Sequence, residues 1–123
     1  MEIVELTAER GWLDAPAAAS VARIDAGLGR PLQVDAAGLT REFQIQLWQE
    51  WKDGIGVYSR HPDDETTPSA HPLGMAIDTL DWFDHVDLLN EHGWFQTVLW
   101  DDGRVREQDH FEYDATRDQH AGS

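Results

Sequence analysis

The constraint that most limits the fold of this chain is a change of hydrophobic period between its two halves. Ala17, Val21, Ile24 and Leu28 fall on one face of a helix, and Phe43, Leu47 and Trp51 repeat the pattern. Asp14 is placed to cap the first helix, Pro16 suits its first turn, and Gly27 and Gly29 stop it. Thr40 is placed to cap the second helix, which Gly54 and Gly56 end. Between them Leu32, Val34 and Ala36 alternate with polar neighbours, as in a short strand. Residues 58–68 are polar, acidic and punctuated by proline, the signature of a loop. Alternation then takes over, with Met75, Ile77 and Thr79 separated by Ala76 and Asp78. Residues 84–92 read as a short helix with Val86 and Leu89 inward and Gly93 at its end. Residues 95–100 and a return strand through Phe111, Glu112 and Tyr113 form a hairpin around Asp101, Asp102 and Gly103. The tail, residues 114–123, is expected to fray. Helices followed by antiparallel strands define an α+β chain, its helices packed on a small antiparallel sheet. A length of 123 residues supplies one core and one domain.

Composition narrows the chemistry. Cysteine is absent, which excludes disulfides, thiolate metal sites and thiol nucleophiles. A transition-metal site must therefore be built from histidine and carboxylates. The formal net charge of −15 argues against nucleic acid, whose phosphates reward the opposite sign. The same charge disfavours non-specific adhesion to an anionic wall or membrane, and it keeps a small protein soluble. No apolar run approaches the roughly 18 residues of a membrane span, so no membrane insertion is expected. Residues 1–5 carry neither a basic region nor an apolar core, so no secretory signal is expected. A monomer is expected.

Two stretches carry the candidate chemistry: Ser69-Ala70-His71-Pro72-Leu73-Gly74-Met75-Ala76-Ile77-Asp78, and Glu107-Gln108-Asp109-His110. On a regular helix His71 and Asp78 would lie about 10 Å apart along the axis, at ~1.5 Å per residue. On one straight strand their odd spacing would send them to opposite faces. Sharing one ion, with bonds of about 2 Å, requires a turn between them, and Pro72 with Gly74 supplies it. Asp78 sits in a strand on the face opposite Met75 and Ile77, where a carboxylate needs a partner. His110 opens the final strand and can lie beside Asp78. Two histidines and a carboxylate with an open fourth position form a ligand set of catalytic zinc. Glu107, three residues before His110, is close enough to serve as a general base without being a ligand.

The pattern S-x-H-x-x-G-x-A-x-D, followed by E-x-x-H, resembles the zinc DD-peptidases of the D-alanyl-D-alanine carboxypeptidase and dipeptidase type. It is also similar to the phage L-alanyl-D-glutamate endolysins, which share the hedgehog/DD-peptidase fold. The resemblance runs from about Leu32 to Tyr113. It implies a zinc site of His71, Asp78 and His110 with Glu107 as catalytic base. Ser69 would then support the first ligand or the substrate. Asp109 either orients a ligand or is simply exposed. The chain departs from the pattern in one place: Leu39 stands where an arginine that helps bind substrate is expected, and Arg41 lies two positions late. An endopeptidase, which meets no free terminal carboxylate, tolerates that loss better than a carboxypeptidase.

The resulting expectation is a zinc metallopeptidase that cleaves a peptidoglycan stem peptide or cross-link. A phage endolysin or virion-associated lysin, made in the cytoplasm and delivered to the wall, is favoured. A non-catalytic zinc module of the same fold and a D-Ala-D-Ala carboxypeptidase are the alternatives. Among the other histidines, His85 and His92 read as surface or capping residues, His61 as part of an acidic loop and His120 as part of the tail. Trp48, Trp51 and Trp94 read as core, with Trp82 and Trp100 as the two that could flank a cleft.

Overall fold

A computed structural model of the protein describes residues 2–38, 41–55 and 74–122. It opens with a small sheet for which the sequence gives no periodic signal. Strand β1 (Ile3–Glu5) pairs antiparallel with β2 (Trp12–Asp14), with Val4 opposite Leu13. Arg10, in the link between them, fastens this sheet to the rest of the chain. Its guanidinium donates to both carboxylate oxygens of Asp25, at 2.7 and 3.0 Å, and to the carbonyl of Leu32 at 3.1 Å.

Helix α1 (Ala15–Leu28) runs where the apolar stripe places it, with Ala17, Val21 and Ile24 buried and Pro16 in its first turn. Asp14 holds the cap position, but its side chain instead accepts the backbone N–H of Glu2 at 3.1 Å. Gly29 stops the helix in the left-handed conformation at φ 70°, a region that costs a β-carbon dearly.

Residues 32–36 do not form the expected strand. Their only ladder contact among the described residues is a bridge from Ala36 to Asp78. Leu32 is instead drawn into the core, and Asp81 secures the stretch by binding Arg30 through both oxygens and the N–H of Gln33. Helix α2 (Arg41–Lys52) follows. Of its expected inward stripe only Trp51 has a described side chain, and it is 39% exposed rather than core. Thr40, Gly56 and the loop 58–68 lie outside the described residues.

The main sheet contains β3 (Ala76–Asp78), β4 (His92–Phe95) and β5 (His110–Asp118), with helix α3 (Trp82–Glu91) between β3 and β4. The strand order is β3-β5-β4, antiparallel throughout, so β5 is central. Helix α3 ends before His92, which begins β4 and is 7% exposed. His92 thus caps the C-terminus of α3, as expected, its backbone N–H turned back onto the last carbonyls of the helix, but it is buried rather than at the surface. The turn at residues 101–103 is present, with Leu99 bridged to Val105. The core lies between α1 and this sheet: Leu13, Val21, Ile24, Leu32, Ile77, Leu89, Trp94 and Phe111 are completely buried.

The tail departs from expectation most clearly. β5 continues through Asp118, whose carboxylate accepts from the Tyr113 hydroxyl at 2.6 Å and from Arg23 at 2.8 Å. The N–H of Gln119 donates to the carbonyl of Glu91 at 3.0 Å, and the His120 ring stacks on His92 with centroids 4.3 Å apart. A polar sequence hid this anchoring, because the anchor is an ion pair and a hydroxyl rather than an apolar contact. Burial and the Asp118 bond push the Tyr113 hydroxyl up to about 12. Removing one partner of a buried charged pair leaves the other uncompensated, so Asp118→Ala should cost about 3 kcal/mol in urea unfolding. A frayed tail would leave the midpoint unmoved.

Candidate metal centre

The site grows out of the register of two strands. Ala76 lies opposite Glu112, Ile77 opposite Phe111, and Asp78 opposite His110. Successive strand side chains point to opposite faces, so Ile77 and Phe111 enter the core together. Ala76, Asp78, His110 and Glu112 then share the other face. Sliding one strand by a single residue would send the acids and the imidazole into the core.

Asp78 is held by its backbone on both sides. Its N–H donates to the carbonyl of Ala36 at 2.8 Å, and its carbonyl accepts from Asp35 at 2.8 Å. Gly74 fixes the approach to the strand at φ 67°, and a β-carbon there would come within 2.6 Å of the backbone nitrogen of Asp14. The glycine of the motif is thus required by close packing of the 74–78 segment on β2.

The two described members of the expected ligand set meet. His110 Nδ1 lies 3.0 Å from Asp78 Oδ1, with the imidazole side chain 4% exposed and the carboxylate 31%. On its other side, His110 Nε2 lies 3.8 Å from Glu112 Oε2. Thr97 donates its hydroxyl proton to the same oxygen of Glu112. Glu107 is half-buried, and its N–H donates to the carbonyl of Val98 at 3.3 Å. The carbonyl of Asp109 accepts from Thr79 at 2.9 Å, which ties the approach to His110 onto the end of β3.

Electrostatics report a surplus of negative charge here. Burial is the largest single influence on His110 and pushes its pKa down, but the bonds and charges of Asp78 and Glu112 together raise it to about 9. The Asp109 carboxyl is pushed up by burial and then by the charges of Asp78 and Glu107. Both shifts describe a locus that favours added positive charge.

The donor set suits a zinc-like ion. One imidazole nitrogen and one carboxylate oxygen 3.0 Å apart approach the about 3.3 Å edge of a tetrahedron with bonds of ~2.0 Å. Among the described residues no three histidine or acidic side chains converge to hold an ion. His71, Ser69 and Leu39 lie outside the described residues, and Arg41 opens α2 with its side chain outside the description. Trp82 is half-buried against the core, and Trp100 is 52% exposed under the Arg106 guanidinium. Sequence reading missed Glu112 as a site residue, although alternation from His110 places it on the same face.

No family model matches the chain, and no curated protein matches it. Among solved structures it is similar to VanYB in complex with D-alanine-D-alanine, at 16% identity over 92% of this chain and 77% of that one, with a TM-score of 0.63. It is also similar to a point mutant of the vancomycin-resistance D,D-pentapeptidase VanY from a VanB-type cassette, in complex with Zn(II). That match has 18% identity over 92% and 78% of the two chains, with a TM-score of 0.61. The chain therefore has a VanY-like α+β fold.

The imidazole between two carboxylates makes a direct prediction. In the metal-free protein His110 should titrate near pH 9 by NMR, and Asp78→Asn should lower that value. A raised folded-state pKa gives stability that is fully present below the unfolded value of about 6.5 and lost as pH rises through about 9. Chemical unfolding across that window should show the decline, and Asp78→Asn should flatten it.

Proposed function

We propose that this chain is a zinc-dependent peptidase that hydrolyses an amide bond in the peptide part of peptidoglycan. The observation that carries the reading is the Asp78–His110 pair, set at 3.0 Å by strand register within a VanY-like fold. His71, Asp78 and His110 are the ligands in this reading. Zinc held there supplies Lewis acidity and a water that ionises near neutral pH. Glu107 takes the proton of the attacking water and delivers it to the departing amine. Asp109 keeps the surroundings anionic, and Ser69 and Arg41 are assigned to substrate contact. The half-buried Glu107 argues against a purely structural module, because a structural zinc needs no base.

Two specificities compete, each on its own observation. Leu39, standing where an arginine is expected, favours an internal bond of the stem peptide or cross-link. The D-alanine-D-alanine bound to the similar VanYB favours removal of a terminal D-alanine. The substrate class is the same in both: a stem peptide containing D-amino acids.

The test presents the zinc-loaded protein with a pentapeptide ending in D-alanyl-D-alanine and, separately, with purified sacculi. Mass spectrometry distinguishes released D-alanine from a new internal amine. Cleavage should fall by about 10²–10⁴-fold in Glu107→Ala, the span expected for loss of a general base. It should also vanish on chelation and return with zinc. A protein that binds one equivalent of zinc yet cleaves neither substrate would be the non-catalytic module instead.

A further inference from the structure

The face of β5 that carries His110 also carries Glu112, which the reading above leaves without a role. Its position is among the most constrained in the molecule. It lies on the central strand, opposite Ala76 on β3 and Phe95 on β4, with its carboxylate one-third exposed. Placing a second carboxylate beside Asp78 on one sheet face costs energy through like-charge repulsion, so a compensating interaction is required. The contacts supply one. Glu112 Oε2 faces His110 Nε2 at 3.8 Å, in ion-pair range but beyond a hydrogen bond, while His110 Nδ1 faces Asp78 at 3.0 Å. Thr97 fixes the same Glu112 oxygen through its hydroxyl. Ala76, the smallest residue on that face, leaves room opposite Glu112 for this arrangement.

An imidazole can serve a metal through one nitrogen only if its proton resides on the other. The carboxylate that attends the second nitrogen sets which nitrogen binds and how the ring is turned. We propose that Glu112 is the positioning residue of His110: it retains the proton on Nε2 and thereby presents Nδ1, beside Asp78, as the metal donor. Thr97 holds Glu112 in place for this task. In the metal-free protein the imidazole ring lies between the two carboxylates. When a metal takes the place of the proton facing Asp78, Glu112 keeps the other. This inference rests on the zinc reading above and adds a residue to it.

The experiment uses the full chain and two readouts that do not depend on turnover. Glu112→Gln is the variant, since it keeps shape and can still accept from Thr97 while losing the charge. Zinc affinity is measured by competition with a chromophoric chelator. The His110 Nε2–H is followed by proton–nitrogen NMR in the zinc-loaded protein. Wild type should show an Nε2–H that exchanges slowly. Glu112→Gln should bind zinc at least about tenfold more weakly, and its Nε2–H should exchange faster. Thr97→Val should shift both readouts in the same direction by less. If either readout in Glu112→Gln matches wild type, the positioning role is overturned while the peptidase reading stands. If wild type itself binds no zinc, both are overturned, and the chelator titration of wild type alone tells these cases apart.

Discussion

The pairing of β3 with β5 is the interaction on which both the core and the site depend. The same three-residue register that buries Ile77 against Phe111 sets Asp78 against His110 on the opposite face. Magnitude shows which side dictates the register. Burying a large apolar side chain is worth about 1.5–3 kcal/mol, and the Ile77–Phe111 pair has two such side chains at zero exposure. Repulsion between neighbouring carboxylates across a sheet is roughly 0.2–1 kcal/mol per pair. The apolar pair therefore imposes the alignment and the acids are carried into proximity with it. The acidic face around His110 is built at the expense of local electrostatics and is kept by hydrophobic burial behind it.

The rest of the structure stiffens that central strand from its far end. Ser20 on α1 donates to the carbonyl of His92 at 2.6 Å and accepts from the Trp94 indole at 3.0 Å, joining the helix to β4. Arg23, one turn further along α1, reaches Asp118 on β5. The Ser20 link is buried and the Arg23 ion pair is part-buried with its carboxylate fully covered, which makes both costly to break and specific in where they hold the helix. Gly93 permits the close approach of β4 to β5, since a β-carbon there would come within 2.9 Å of the Tyr113 ring. The sheet thus enters the site at one end of β5 with its opposite end clamped.

What could be read from the residues follows from the kind of signal each element sends. α1, α3, β3 and the turn at 101–103 announce themselves through period and turn chemistry. The β1–β2 sheet does not, because its strands are three residues long and β1 is exposed throughout. The 32–36 segment alternates like a strand, but bonds from Asp81 and Arg10 to its first residues hold it outside the sheet. Residues beyond Asp114 looked like solvent because their anchors are Asp118, Tyr113 and Arg23, which composition counts as polar. His92 caps α3 as its position beside Gly93 suggests, but its burial was hidden because the same residue opens β4. In the site, the spacing of Asp78 and His110 was legible as motif. Glu112 belongs to no motif, although alternation from His110 already places it on the same face.

Charge gives the last link between sequence and chemistry. A chain of net charge −15 can spread its acids over the surface, where water screens them, at little cost. Here Asp78 and Glu112 flank a nearly buried imidazole, where screening is weakest, and the charges of Asp78 and Glu107 act on Asp109 beside it. The direction of the shifts agrees: Asp109 is pushed up by burial and then by the charges of Asp78 and Glu107, and Asp78 and Glu112 raise His110 against its burial. Protons are a weak answer to such a field, because they compete with water at every pH above their release. A divalent cation would deliver twice the charge at one point, and imidazole nitrogen and carboxylate oxygen are both donors to such ions. On the zinc reading proposed above, a concentration of acids that costs the metal-free fold stability would become the source of affinity for the ion, and the core behind Ile77 and Phe111 is what lets the fold hold that arrangement without it.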